Sequence, residues 1–229
     1  MASKRFFVWD IPTRLFHWTL VLLVTGSFIS GQVGGNFIDW HGRFGLAIVG
    51  LLAFRMVWGV IGSTYARFHQ FFPTPSRLIA YLKGEGHYHG HNPLGALSVF
   101  GMLTLLSAWV TTGLFSNDDI AFVGPLYDLV SNELSNRLTG IHRLIADFAM
   151  GLIALHVAVI LFYSRVKKQQ LLKPMITGWK EGEGESARGG RWPALILALI
   201  LAGAVIYGAS GVWLSDLSPP PPPAEIPGW

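Results

Sequence analysis

The stretch that decides the fold is TGIHRLIADFAMGLIALHVAVILFY, from Thr139 to Tyr163. It is apolar enough and long enough to cross a bilayer, which takes about 20 residues of helix. It nevertheless carries His142 and His156, whose 14-residue separation is close to four helical turns, so both imidazoles project from one face. They lie about 21 Å apart along the axis, one near each side of the hydrocarbon core. A histidine of this kind, taken alone, is satisfied by a backbone or water partner, but two on one face favour ligation.

The composition indicates a membrane protein throughout. Of the 229 residues, 51% are hydrophobic and 13% are charged, about half the charged share of an ordinary soluble domain. The net charge of +4 therefore reflects membrane topology and does not indicate a nucleic-acid partner. The sequence has no cysteine, which excludes disulfides, thiolate-held iron–sulfur clusters, Cys-ligated zinc and c-type haem attachment. Any cofactor must depend on His, Met, carboxylate or backbone ligands.

Five apolar segments predict an all-α protein, a transmembrane four-helix bundle with one additional C-terminal transmembrane helix. The predicted spans cover about 12–30, 40–62, 93–115, 139–163 and 192–214. We expect the first to be a retained span and not a cleaved signal peptide. Residues 1–180 form the predicted main domain, and residues 181–229 hold the fifth helix and a proline-rich tail. The fifth span has neither charge nor histidine, which is typical of an anchor or packing helix.

The distribution of basic residues predicts the orientation. Most of the 17 lysines and arginines lie in the N-terminal segment and in the loops after spans 2 and 4. The positive-inside rule then places the N-terminus in the cytoplasm and the C-terminal tail outside. The opposite loops are acidic, and residues 116–136 are either a docking surface for a basic periplasmic protein or a solvated interfacial loop.

This orientation fixes the depth of each histidine. His17 and His156 fall near the cytoplasmic side, whereas His41 and His142 fall near the outer side. Each depth-matched pair takes one imidazole from span 4 and one from another helix. Two imidazoles from facing helices and an apolar slot are what a b-type haem needs. We therefore predict two haem b groups, with an iron ligated by each pair.

Haem propionates are anionic and need basic partners near each membrane face. Arg14 lies three residues before His17, a neighbouring position on the helix surface, and Arg55 lies at the inner end of span 2. Both are candidates for the inner haem, although Arg14 fits a topology-setting or snorkelling role equally well. Arg43 and Arg143 are the candidates for the outer propionates.

Several motifs resemble the bacterial cytochrome b561 family, which includes the cytochrome b subunit of nickel–iron hydrogenases. They are WDIPTRLFHW at 9–18, H-x3-G-x9-R-x2-W-x3-G at 41–62, GHNPLGA at 90–96, H-x13-H at 142–156 and MITG at 175–178. The resemblance covers residues 5 to about 180. It implies a four-helix dihaem core that exchanges electrons with membrane quinone, and it implies that the four paired histidines are the axial ligands. Span 5, its PPPPPAEIPGW tail and Asp147 look like departures from the family.

Two other polar features of the sequence are open to more than one interpretation. Asp147 lies inside span 4, rotated away from the histidines, and is a candidate proton acceptor for quinol. Its alternative is a neutral or hydrogen-bonded acid at a helix interface. His87, His89 and His91 form an H-x-H-x-H run for which a solvated loop is favoured over a metal site, with His91 as a helix cap.

The predicted function is electron transfer between ubiquinone or menaquinone in the surrounding lipid and a periplasmic redox protein. That partner is a c-type cytochrome or a hydrogenase-like protein, and quinol:cytochrome c-type oxidoreductase activity is one form of the reaction. Two alternatives remain from other classes: a haem-bearing membrane anchor for a periplasmic partner, and a haem-free metal or proton transporter. The sequence lacks the inverted repeat and broken helix pair that transporters use.

Overall fold

The computed structural model describes residues 4–86, 88–120 and 122–217. His87 and the proline-rich tail lie outside the described residues. Eight α-helices follow one another within them: α1 Ile11–Val33, α2 Ile38–Ile61, α3 Phe68–Phe71, α4 Pro75–Leu82, α5 Pro93–Leu114, α6 Asn132–Arg165, α7 Leu172–Thr177 and α8 Trp192–Ala209.

Five of the helices in the described residues are long and apolar enough to cross a membrane: α1, α2, α5, α6 and α8. They coincide with the predicted spans, with two shifted ends. Helix α6 begins well before the predicted residue 139, because the Ser131 hydroxyl caps it by accepting from the Leu134 amide. Helix α8 ends before the predicted residue 214, because Gly211 at φ +68° turns the chain into a short 3₁₀ helix, Val212–Leu217.

Two of the membrane-length helices begin with the same side-chain N-cap arrangement. Asp10 accepts a hydrogen bond from the Thr13 amide at the start of α1, and Asn92 accepts one from the Gly95 amide at the start of α5. A proline occupies the first turn of both helices, where its missing N–H is not needed. These starts fix where each helix leaves its loop and therefore set the depth of the residues that follow.

Helix α2 is the centre of the bundle, packing against α1, α5 and α8, while α6 packs against α5. Trp58 of α2 is fully buried in the core. The additional helix α8 lies close against α2, because a Cβ at Gly50 would be only 2.3 Å from the Ile206 Cδ1 atom. Ala198 and Ala202 are its buried contact positions, so α8 is an integral part of the packed bundle.

A small sheet closes one end of the bundle. Strands β1, Arg5–Phe7, and β2, Trp179–Glu181, pair antiparallel, and the Gly178 carbonyl accepts from the Val8 and Trp9 amides. The chain is mainly helical, as predicted, but this small sheet was not predicted, because each strand is only three residues long and its partner is far away along the chain. We call this end, with residues 4–10, 62–92 and 166–191, the basic end.

The opposite end, residues 34–37, 115–131 and 210–214, is called the acidic end. Asn117 joins its main loop to α6, with Nδ2 donating to Ser135 Oγ at 2.7 Å and to Asn136 Oδ1 at 2.8 Å. The Asn117 amide also donates to Thr139 Oγ1 at 3.1 Å. Thr139 therefore lies level with the end of α5, and the first turns of α6 extend beyond it.

Candidate cofactor-binding site

The two histidines nearest the acidic end face one another. His41 of α2 and His142 of α6 have ring centroids 5.9 Å apart, with ring planes at 87°. A metal–imidazole bond is about 2 Å long, so two rings bound to opposite sides of one metal ion have ligand nitrogens about 4 Å apart. At the observed separation of 5.9 Å between ring centroids, both rings are close enough to reach one metal ion. We call these residues the acidic-end pair.

Backbone carbonyls fix the protonation of both rings. The Nδ1 atom of His41 lies 2.8 Å from the Ser27 carbonyl, and Nδ1 of His142 lies 2.9 Å from the Trp109 carbonyl. A carbonyl can only accept, so each Nδ1 carries the proton and each Nε2 keeps its lone pair. This is the arrangement that orients a neutral imidazole as a metal ligand.

Two glycines make room for these rings. A Cβ at Gly31 of α1 would lie 2.8 Å from His41 Nδ1, and one at Gly113 of α5 would lie 2.9 Å from His142 Cε1. Any larger residue would therefore push the imidazole away. Neither glycine could be identified from the sequence, since glycine in a membrane helix is also used for ordinary helix packing.

The second pair lies toward the basic end. His17 of α1 and His156 of α6 are close enough to interact electrostatically. Both rings are partly buried, and within the described chain the shielded His17 Nδ1 has no hydrogen-bond partner. The structure thus brings each predicted histidine toward its predicted partner. We call these residues the basic-end pair.

Arg55 is a buried cation near the basic end. Its side chain is 3% exposed, and its guanidinium lies 4.5 Å from the ring centroid of Phe68 and interacts electrostatically with Asp10. Its Nη1 atom has no hydrogen-bond partner among the described residues. A buried donor without an acceptor is costly, so this atom fits an additional anionic group such as a haem propionate.

The other predicted basic residues differ in environment. At the basic end, Arg14 donates through Nη1 to the Ile176 carbonyl, while its shielded Nε has no partner in the described chain. At the acidic end, Arg43 is exposed and lies over the Trp40 ring. Arg143 is exposed on α6, one residue from the acidic-end pair. The acid Asp147 is also exposed on α6.

His91 is enclosed, contrary to the prediction of a solvated loop. Its ring lies 4.6 Å from Trp9 and 4.5 Å from Phe71, centroid to centroid, and its shielded Nδ1 has no partner in the described chain. Burial and, to a smaller extent, the positive charge of Arg55 lower the pKa of His91 to about 3. His91 does not cap α5, because that role belongs to Asn92.

An apolar helical bundle in which two histidines from different helices face one another, with a further histidine on each of α1 and α6, fits a membrane cytochrome b. The sequence model of the family described as prokaryotic cytochrome b561 matches residues 8–178. The chain belongs to this family, and the resemblance found in the motifs is confirmed. Membership implies haem b, electron transport and a multi-pass membrane location.

The chain is also similar to several proteins named as probable Ni/Fe-hydrogenase B-type cytochrome subunits. The protein of Azotobacter chroococcum mcd 1 is 24% identical over 218 residues, which are 76% of this chain and 88% of the relative. The protein of Rhizobium leguminosarum bv. viciae is 26% identical over 218 residues, 78% of this chain and 90% of the relative. That of Rhodobacter capsulatus is 25% identical over 209 residues, 75% of this chain and 80% of the relative.

Proposed function

We propose that this protein is a dihaem b-type cytochrome that transfers electrons between the membrane quinone pool and a redox protein in the periplasm. The observation that carries the proposal is the pairing of histidines at two levels of α6, with His41 facing His142 and His17 near His156. Each bound haem would supply an iron that takes up and releases one electron. Residues 1–180 form the proposed dihaem domain.

The chain's own residues would hold and orient the two groups. At the acidic-end pair, the carbonyls of Ser27 and Trp109 hold each Nδ1 proton, so Nε2 of each ring points its lone pair toward the ligand. At the basic-end pair, Arg55 offers its unused Nη1, and Arg14 its unused Nε, to propionates. The roles of Arg43 and Arg143 at the outer propionates stay predictions.

Ubiquinone or menaquinone, reaching the protein through the surrounding lipid, is the proposed membrane reactant. The apolar surface of the five membrane-length helices gives it access from the bilayer. Asp147 as the proton acceptor for quinol stays a prediction, and the residue lies on α6 turned away from the histidines. The same two proposed haem sites would serve quinol oxidation and quinone reduction.

The acidic end is the proposed contact for a periplasmic c-type cytochrome or hydrogenase-like protein. Similarity to proteins named as hydrogenase cytochrome subunits supports the second of these partners. The predominance of Lys and Arg at the basic end supports a cytoplasmic N-terminus in the bacterial inner membrane. The loop at the acidic end is firmly built, since Asn117 ties it to α6, and a preorganised surface favours docking.

The first test is haem quantification with a reduced-minus-oxidised optical spectrum on purified protein. We expect about two b haems per chain in the parent and about one in both His156→Ala and His41→Ala, because each variant loses one ligand pair. His69→Ala is the matched control, since His69 is exposed and its Nε2 atom lies 3.0 Å from Nε2 of the neighbouring Gln70. A parent with a single haem, or a His69 variant that loses one, would contradict the pairing.

The second test asks whether the bound iron exchanges electrons with quinol. A short-chain quinol added to the oxidised parent should reduce the b-type absorbance, and His69→Ala should behave in the same way. No reduction by either ubiquinol or menaquinol analogues would contradict the quinone part of the proposal while leaving the haem assignment intact.

A further inference from the structure

Helix α6 has an outward face that the described part of the chain leaves exposed. The positions that define it are Gly140, Arg143, Asp147, Gly151, Ala154 and Ala158. Their spacing places them along one side of the helix, opposite His142 and His156. We call this side the Asp147 face.

Neither a bound cofactor nor the additional helix accounts for the Asp147 face. A group ligated by His142 and His156 lies on the other side of α6, and α8 packs principally against α2. A Cβ placed at Gly140 or Gly151 would meet nothing within 4 Å. The face is therefore open to whatever lies beside the bundle in the membrane.

The two charged residues of this face lie within the membrane-spanning part of α6. Thr139 is level with the end of α5, so Arg143 and Asp147 are about 6 Å and 12 Å farther along the helix axis. Ionisable side chains directed at hydrocarbon are costly, and in membrane helices they face other protein. The exposed acid and base thus indicate that another helix covers this face.

The charges identify that helix as a second copy of the same chain. An acid and a base stand four residues apart on one face, so the face is complementary to itself. Two copies related by a two-fold axis along the membrane normal run their α6 helices parallel, and such an interface brings the same patch of both subunits together. The small residues Gly151 and Ala154 allow the two backbones to approach closely.

We propose that the Asp147 face joins two copies of this protein into a dimer, with Asp147 of each copy paired with Arg143 of the partner subunit. This assignment gives both residues a structural role between subunits. It competes with the predicted roles of Asp147 as the proton acceptor for quinol and of Arg143 as an outer propionate partner, and the experiments below distinguish them. The inference does not depend on the number of haems.

The absence of cysteine from the sequence makes this interface directly testable by disulfide trapping in membranes. The test variant is Gly151→Cys, because Gly151 lies at the proposed point of closest approach and a Cβ there meets nothing else in the described part of its own chain. The matched control is Ile200→Cys, at the middle of α8 and 61% exposed. We expect mild oxidation to convert most of the Gly151→Cys protein to a covalent dimer, at least tenfold more than Ile200→Cys, since a disulfide needs Cα atoms about 4.4–6.8 Å apart.

Charge reversal in the Gly151→Cys background tests the pairing. Asp147→Arg alone should lower the yield of covalent dimer at least fivefold, and adding Arg143→Asp should restore it, because the doubly reversed face is again complementary to itself. The b-type absorbance of each membrane preparation checks that the bundle is intact, which separates a broken interface from a misfolded chain.

Three results would overturn the proposal. One is equal cross-linking at Gly151 and Ile200, which would indicate random collision. Another is cross-linking of Gly151→Cys to a different protein in place of a second copy, which would identify a heterologous helix as the occupant. The third is a loss of quinol oxidation in Asp147→Arg with unchanged cross-linking, which would return Asp147 to the proton-acceptor role.

Discussion

Among the residues of the basic end, Asp10 is the one whose substitution we expect to lower the free energy of unfolding most. Its Oδ1 atom accepts from the Thr13 amide at 2.6 Å, and its Oδ2 atom accepts from Trp58 Nε1 at 3.0 Å. Asp10 thus caps α1 and ties it to the most buried residue of α2. Loss of a helix cap costs about 1 kcal/mol, and loss of a buried hydrogen bond to a charged group costs about 1.5–3 kcal/mol. Asp10→Ala should therefore lower the free energy of unfolding by about 2.5–4 kcal/mol.

A double-mutant cycle with Trp58→Phe separates the two contributions. In the Trp58→Phe background the indole donor is already gone, so Asp10→Ala should cost only the remaining interactions of the carboxylate, which are the cap at about 1 kcal/mol and the attraction to Arg55. The coupling between the two residues should then be about 1.5–3 kcal/mol. Unfolding of the detergent-solubilised protein by SDS, followed by circular dichroism, measures all four states. Thr74→Ala, which removes the exposed cap of α4, is the control for a cap alone.

A coupling below about 0.5 kcal/mol would refute this reasoning, because residues that act independently add within that margin. It would mean that the bond between the Asp10 carboxylate and the Trp58 indole contributes nothing to holding α1 on α2. The same conclusion would follow if Asp10→Ala and Thr74→Ala lowered the free energy of unfolding equally, because Asp10 would then contribute no more than a helix cap.

Two further predictions concern the rings at the two ends. Gly31→Ala and Gly113→Ala should each lower haem content toward about one per chain, because the added methyl group displaces an acidic-end imidazole. Gly101→Ala is the control and should leave haem content unchanged, because the space around Gly101 is open. Full haem content in all three variants would contradict the steric argument. His91 should lower the free energy of unfolding in acid. In the unfolded chain the His91 imidazole binds a proton below its ordinary pKa of 6.5, whereas in the folded chain it binds one only near pH 3. The free energy of unfolding should thus drop by about 2 kcal/mol between neutral pH and pH 5 through this residue, and His91→Phe should remove that part of the slope; identical slopes would contradict it.

The facing of His41 and His142 could be predicted because it depends on periodicity and depth alone. The spacing of His142 and His156 fixes one side of α6, and the orientation of each span fixes the level at which another helix supplies a partner. The limits of α1, α2 and α5 were also close, since each begins or ends at a proline, glycine or capping residue. Local signals of this kind do not depend on the rest of the fold.

Other features require the tertiary structure. The place of α8 could not be predicted, because a helix that is apolar all round has no preferred face. Gly31 and Gly113 acquire their role only when α1 and α5 lie against the imidazoles of other helices. Enclosure of His91 depends on Trp9, which the β1–β2 sheet holds in place from the far end of the chain.

The pairing of β1 with β2 has a consequence for the order of events during synthesis. Arg5 meets Glu181, so the basic end cannot close until nearly the whole membrane domain has left the ribosome. At about 5–20 residues per second, the interval is about 9–35 seconds. Until then β1 has no partner strand, and Val8, whose amide bonds to the Gly178 carbonyl and whose side chain is buried in the folded chain, lacks this contact. Closure of the sheet is thus one of the last events in the assembly of this end.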